Sequence, residues 1–350
     1  MEKHVTLRDI AKATGVHFTT VGLALRNDPH VNADTAAKIR EVARSLGYTH
    51  NAMLSALSSY RRGGRRFAGV LAYVLNYNPD AYQGNLSEAT LRSAVIGYAQ
   101  SQGFSVEVFQ LEEDGTHGAQ LSRILRARGI QGVLLPPRLP VPGPIPELDW
   151  QHFSTVAVGY SVTNVAAHRV CIHHSYNMRL CLRKLRERGY RRIGLILPQD
   201  FSYRSLGIML GAYLAEHYTQ DPELHVPPLY AREITKPAVA AWLKAERVDC
   251  VIIPGHPLEP YRWIKELGYR VPDEMGVALI SRFGKSDDIA GIDEQNDLLG
   301  VAAGKALVSL LQHNELGLPA YPLYTMVEGR WVDTPTVRPP VTVQASKVAL

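Results

Sequence analysis

The sequence predicts an all-α helix-turn-helix headpiece joined to a larger α/β part built on doubly wound parallel sheets. Three observations lead there. The chain has 350 residues, beyond the roughly 250–300 at which one hydrophobic core stops growing, so two or more domains are expected. Its charge is uneven: of 38 Lys/Arg and 33 Asp/Glu, eleven and five fall in residues 1–66, leaving 27 and 28 for the rest. A module of net +6 therefore precedes a remainder of net −1. From residue 67 onward, short apolar runs alternate with helical periodicity, the pattern of parallel strands covered on both faces.

Composition narrows the class. At 46% hydrophobic and 20% charged residues the chain is globular, which excludes disordered, collagenous and fibrous proteins. The start, Met1-Glu2-Lys3-His4-Val5-Thr6-Leu7-Arg8-Asp9, is charged throughout and lacks an apolar signal core. No run approaches 18 apolar residues, so no membrane association is expected. Three cysteines (Cys171, Cys181, Cys250) do not make a disulfide framework. These features predict a cytoplasmic protein with reduced thiols. A small basic module on a neutral body suggests a polyanion binder with something else attached.

Residues 6–50 read as three short helices. Thr6 caps the first, with Asp9 three residues on and Leu7, Ile10 and Ala11 as its apolar face. Gly15 sets a turn. The second, about 17–25, turns Val21, Ala24 and Leu25 inward and stops at Arg26-Asn27-Asp28-Pro29. The third follows the cap Asn32, with Ala36, Ile39, Ala43 and Leu46 at helical spacing before Gly47. A helix, a glycine turn and a second short helix can enter the major groove of B-DNA. Three-helix bundles also have other uses, so spacing alone leaves DNA binding open.

The run Val5-Thr6-Leu7-Arg8-Asp9-Ile10-Ala11-Lys12-Ala13-Thr14-Gly15-Val16, then Thr20-Val21, Asn32, Thr35, Leu46-Gly47-Tyr48 and Asn51, resembles the headpiece of the lactose-repressor (LacI/GalR) family. The likeness is ungapped over about fifty residues. It implies a sequence-specific transcription regulator, a repressor, that binds a double-stranded DNA operator as a homodimer. Behind the headpiece it implies a two-lobed, periplasmic-binding-protein-like domain that takes a sugar-like small-molecule effector.

Carried over position by position, the resemblance implies DNA contacts from Thr6, His17, Phe18, Thr19, Thr20, Gly22, Leu23, Arg26, His30, Asn32, Asn51 and Leu57. Thr20 and Val21 match the family, implying a phosphate contact and core packing. Phe18, Thr19 and Leu23 occupy its base-reading positions, where polar side chains or Arg are common. Phe and Leu cannot hydrogen-bond purine edges but can press on thymine methyl groups, so an operator less dependent on Arg–guanine contacts is expected. The alternative for Phe18 is burial against the third helix. His17 replaces the usual capping Ser, and imidazole is a poorer cap.

Residues 51–60 resemble the family's hinge helix, in which Leu57 holds the position of a minor-groove wedge. A helix packed on the main domain is the alternative. His50 and Leu54 depart from the usual proline and alanine. Arg61-Arg62-Gly63-Gly64-Arg65-Arg66 then forms a basic tether that should steepen salt dependence. The expected domains are 1–50 headpiece, 51–66 hinge and tether, 67–338 effector-binding and dimerisation domain, and 339–350 tail.

In the large domain strands are expected at 68–75, 105–111, 132–135, 155–159, 169–172, 193–197, 250–253, 277–280 and 323–328. Helices are expected at about 86–101, 118–128, 175–188, 202–217, 237–245, 259–267 and 298–313. By analogy lobe one is 67–160 plus 294–320, and lobe two 161–293 plus 321–338, joined by three crossovers. The family's effector residues do not carry over: Gly255-His256 stands for Asn-Asp, and Leu279-Ile280-Ser281-Arg282 for Gly-Phe-Asp-Asp. Tyr77, Tyr82, Tyr203, Arg204, His256 and Arg282 fall at strand ends or loop starts and are the candidate effector contacts, with structural roles as the alternative.

Cys171-Ile172-His173-His174 hints at a metal, but without a second Cys/His pair strand-end side chains explain it better. No phosphate loop, nucleophile elbow, HExxH helix or dinucleotide fingerprint occurs, so no metal, cofactor or catalytic residue is expected. The alternative function is a cytosolic carbohydrate-binding or carbohydrate-modifying protein whose basic bundle does not read DNA.

Overall fold

A computed structural model describes residues 5, 7–25, 31–46, 69–76, 86–111, 117–138, 142–218, 221–256, 258–282 and 288–341. The chain divides into two compact units, Met1–Arg66 and Phe67–Leu350.

In the first unit α1 (Leu7–Thr14), α2 (Phe18–Leu25) and α3 (Ala33–Ser45) enclose a core of Ile10, Val21, Ala24, Ala36, Ile39 and Ala43. These positions recur at the spacing that turns one stripe of each helix inward. Asn32 caps α3, its Oδ1 accepting from the Asp34 N–H at 2.9 Å. Leu46 departs from expectation and is 39% exposed. Helix α3 ends at Ser45, and although the Leu46 N–H still donates to Val42 O at 3.0 Å, its side chain lies at the surface.

The second unit is two lobes, each a six-stranded sheet with helices on its faces. Sheet one has the order β2-β1-β3-β4-β5-β11, with β1 Gly69–Leu75, β2 Phe104–Gln110, β3 Gly132–Leu135, β4 Ser154–Val158, β5 His168–Ile172 and β11 Tyr324–Val327. All its pairings are parallel. Sheet two has the order β7-β6-β8-β9-β10-β12, with β6 Ile193–Pro198, β7 Leu229–Ala231, β8 Cys250–Ile253, β9 Gly276–Arg282, β10 Ala290–Asp293 and β12 Arg330–Val332. It is parallel except for β12, which runs antiparallel to β10.

Both faces of each sheet are buried, which is why the strands read as continuous apolar runs. In β1, Leu71, Tyr73 and Leu75 enter one core while Ala72 and Val74 enter the opposite one. In sheet two Leu195, Ile252 and Ile280 lie on one side, and Ile196, Val251 and Leu279 on the other. Helices α4 (Leu86–Ser101) and α5 (His117–Ala127) belong to lobe one, with α11 (Asn296–Gln312), which packs on α4 and on sheet one. Helices α6 (His174–Arg186), α7 (Gln199–Arg204), α8 (Ile208–Tyr218), α9 (Lys236–Glu246) and α10 (Glu259–Glu266) belong to lobe two. Gly300 permits the α4–α11 contact: a Cβ there would stand 2.4 Å from Leu91 O and 2.7 Å from Ala94 Cβ.

The chain crosses between the sheets three times, from β5 to α6, from β10 to α11 and from β11 to β12. This corrects the expected lobe limits. Residues 168–172 and 324–327, assigned by analogy to lobe two, are strands of sheet one, with Val156 paired to His168 and Tyr324 to Arg169. The segment after β4 returns to its own sheet because buried Arg169 ties it down. Its guanidinium donates to the carbonyls of Gly159, Val162 and Val165.

A single helix expected at 202–217 is two. Leu206 (φ 52°) and Gly207 (φ 72°) are both left-handed, which ends α7 and lets α8 start in a new direction. Strands β7, β10 and β12 were not expected: β7 and β12 have three residues each, and β10 (Ala290–Asp293) is broken by glycine and ends on aspartate, so none reads as an apolar run. Among the described residues no helix is long and apolar enough to cross a membrane.

Candidate nucleic-acid interface and interlobe site

The first candidate interface is α2. Its buried face is Val21, Gly22 and Ala24. Its free surface carries Phe18, 46% exposed, and exposed Thr19, with half-buried Thr20 and Leu23 beside them. Phe18 is thus not sunk against α3. Gly22, grouped with the DNA contacts by resemblance, is buried and lies apart from that surface, because its position on the helix turns it toward the bundle core.

His17 precedes α2 and caps it despite its imidazole. Nδ1 accepts from the Thr19 N–H at 3.4 Å and lies 3.0 Å from Thr19 Oγ1. The ring also meets the Phe18 ring, centroids 4.4 Å apart at 44°. One side chain therefore holds both leading residues of the helix. Asn32 is exposed, its Oδ1 engaged in capping α3. Thr6, Arg26, His30, Asn51 and Leu57 lie outside the described residues, as do the hinge 51–60, the tether 61–66, and Tyr77 and Tyr82 of the large domain.

The second candidate site follows from topology. In both lobes strand order reverses beside the first strand, at β1/β3 and at β6/β8. Ligands of open parallel sheets bind beyond the carboxyl ends of strands at such switch points. Asn76 follows β1 and is buried; its Nδ2 donates to Pro136 O at 3.3 Å, while Oδ1 has no partner. Helix α7 follows β6 and places buried Ser202, whose Oγ has no partner, beside Tyr203, 52% exposed, and half-buried Arg204. The Arg204 guanidinium lies 4.8 Å from the centre of the Phe201 ring. Exposed His256 follows β8. Arg282 ends β9, its Nε donating to Ile289 O at 2.7 Å.

Between these strand ends is a buried polar group that the sequence did not single out. Glu294, at the second crossover and 8% exposed, accepts from Ser281 Oγ at 2.6 Å. Its other oxygen lies 3.8 Å from His174 Nδ1, at the first crossover. Tyr160, beyond β4, faces His174 at 6.0 Å and stacks on Tyr324 at 6.2 Å between ring centres. The group thus draws on both lobes.

Burial dominates its electrostatics. Loss of water pushes the Glu294 carboxyl up to about 7, against the Ser281 hydrogen bond and the nearby Arg204 charge. Burial, with the charges of His173 and Arg204, lowers His174 to about 4. Near neutral pH the imidazole is uncharged and the carboxyl stands close to half-titrated. The set offers hydrogen-bond donors and acceptors beside tyrosine rings. Cys171 is buried, and desolvation pushes its thiol up to about 11, so it is a packing residue rather than a nucleophile or ligand. Among the described residues no three His, Cys, Asp or Glu side chains come together to hold a metal.

Comparison with known proteins bears on both sites. Residues 6–51 match the family described as "Bacterial regulatory proteins, lacI family". The chain is 29% identical over 133 residues to the maltose regulon regulatory protein MalI of Escherichia coli K12, covering 38% of this chain and 36% of that protein. It is 44% identical over 54 residues to a Bacillus subtilis protein named "Probable HTH-type transcriptional repressor ExuR", covering 15% and 16%. These matches span about a third or less of the relatives' length. Among solved structures, a transcriptional regulator CelR–cellobiose complex superposes with a TM-score of 0.57 at 22% identity, over 95% of this chain and 100% of that one. The lac repressor dimer bound to operator and the anti-inducer ONPF gives 0.55 at 17%, over 96% and 100%. At these identities the structural likeness establishes the fold.

Proposed function

We propose that this chain, whose residues 6–51 match the lacI family of bacterial regulatory proteins, is a transcriptional repressor whose grip on DNA is set by a small sugar-like molecule held between its two lobes. The observation that carries this reading is α2, matched to the family and presenting Phe18, Thr19, Thr20 and Leu23 on its free face. A recognition helix of that size fits the major groove. Two copies in a homodimer present two such helices, so the operator is an approximate palindrome. The relatives support this: MalI and ExuR are named as regulators, and the lac repressor structure is a dimer on its operator.

The effector reading rests on the second unit. Asn76, Ser202, Ser281 and Glu294 place polar groups at the strand ends of two lobes, and the CelR structure of the same fold was solved with cellobiose. Closing the lobes on a ligand changes the spacing of the headpieces, and the coupling is reciprocal. The test is a gel shift with the promoter DNA beside the gene, repeated over a panel of sugars and sugar acids. A ligand that weakens operator binding must itself bind the DNA complex more weakly, by the same factor, typically about 5–150-fold. No binding to any promoter fragment overturns the DNA reading, and equal ligand affinity with and without operator overturns the coupling.

A further inference from the structure

A cavity of about 460 Å³ opens along α6, lined in part by His173, Tyr176, Arg179, Arg183, Arg186 and Glu216. It shares no residue with the Ser281–Glu294–His174 group, and its volume suits a small molecule. Arg179, Arg183 and Arg186, spaced by four and three, occupy one face of the helix. Glu216 of α8 fixes two of them: Arg179 Nε lies 2.9 Å from Oε1 and Arg186 Nη1 3.0 Å from Oε2. Arg183 has its nearest carboxylate, Glu187, 4.0 Å away, and Lys184 holds that carboxylate at 2.8 Å. Three guanidiniums therefore line the cavity against one carboxylate, an excess of two positive charges.

We propose that this cavity is a second small-molecule site, distinct from the strand-end site, and that it takes a phosphate-bearing metabolite. A phosphate monoester is a dianion near neutral pH, which matches the excess charge. Guanidiniums hold its oxygens in paired hydrogen bonds, as a point-charge ammonium does not. The shared carboxylate keeps two of the forks in place before the ligand arrives, which lowers the ordering cost of binding. His173, in the wall of the cavity, also stands at the first crossover: its backbone N–H donates to Val327 O at 2.8 Å, linking the first and third crossovers. A ligand here bears on the same crossing segments as one between the lobes.

The test uses full-length protein in chloride at matched ionic strength, with inorganic phosphate, a hexose 6-phosphate and the unphosphorylated hexose as probes in calorimetry. Both phosphate probes are expected to bind, and Arg179→Gln/Arg183→Gln to weaken them at least about tenfold. These arginines are 69% and 61% exposed, so the fold tolerates the change. The charge-matched Arg123→Gln/Lys305→Gln, on exposed positions of lobe one, is expected to leave both affinities unchanged. Absence of phosphate binding, equal weakening by the two double variants, or no weakening by the first overturns the proposal. Binding of the unphosphorylated hexose that survives the arginine changes reports the strand-end site, so the two readings fail separately.

Discussion

His174 Nδ1 lies 3.8 Å from Glu294 Oε1, and the two residues stand on successive crossovers between the lobes. Glu294 is buried and His174 half-buried, and loss of water moves them in opposite directions, the carboxyl up to about 7 and the imidazole down to about 4. The neutral forms of both are thereby favoured in the fold.

The pH dependence of stability follows with opposite signs. Between about pH 4.5 and 7 the folded chain holds a Glu294 proton that the unfolded chain releases, so this residue makes stability fall as pH rises. Between about pH 4 and 6.5 the unfolded chain takes up a His174 proton that the folded chain refuses, so that residue makes stability rise. The two effects offset where the windows overlap. Glu294→Gln should therefore gain on the wild type between about pH 5 and 8, by up to about 3 kcal/mol at 1.36 kcal/mol per unit. His174→Gln should lose the acid-side slope instead. Urea unfolding across this range checks both, and parallel profiles for all three proteins would refute the assignment.

Phe18 is exposed at the start of α2, where an aromatic ring reads by contact rather than by hydrogen bonding. Phe18→Ala should change the preferred base pair at one position of each half-site, at a cost of about 1–3 kcal/mol on the best site. Selection of bound sequences from a random pool measures it. An unchanged preference would show that the ring faces away from DNA.

The His17 cap makes a narrower prediction. His17→Ala removes the acceptor for the Thr19 N–H and should cost the headpiece about 1 kcal/mol, which His17→Ser should restore. Thermal unfolding followed by circular dichroism of the three proteins reads this directly. Failure of Ser to rescue would mean that ring contact with Phe18, not capping, is what His17 supplies.

Gly300→Ala should destabilise the large unit by about 3 kcal/mol, the upper range of overpacking, because the new Cβ meets backbone that cannot yield. Denaturant unfolding provides the measurement. A cost near zero would mean that α4 and α11 do not pack as closely as described.

Which features were open to reading in advance follows from where their causes lie. The headpiece is local: Ile10, Val21, Ala24, Ile39 and the cap Asn32 act within one short stretch, so helical spacing and side-chain chemistry suffice to place them. The strands of the large unit were legible for a related reason. Burial on both faces forces continuous apolar runs, and β3 and β8 fall at their expected residues. Strands β7 and β12 are only three residues long, and β10 carries a glycine and an aspartate, so none of them leaves such a run; the break at Gly207 depends on two left-handed residues that composition does not announce.

The interlobe site belongs to tertiary structure. His256 follows β8 and Arg282 ends β9, while Tyr203 and Arg204 lie on α7; Ser281, Glu294, His174 and Tyr160 meet only because two sheets exchange the chain three times. A glutamate at a crossover reads as a solvated charge until the fold removes its water, and that removal is the largest cause of the raised Glu294 pKa, with the Asp293 charge adding to it. The lobe limits were likewise decided by Arg169, which pins the return of β5 through carbonyls it can reach only once the sheet has formed. Sequence by itself determined the three helices of the first unit and the alternation of strands and helices in the second, since both are short-range. The assembly of buried polar groups between the lobes was left to the fold, since desolvation is a property of the packed chain and not of any residue in it.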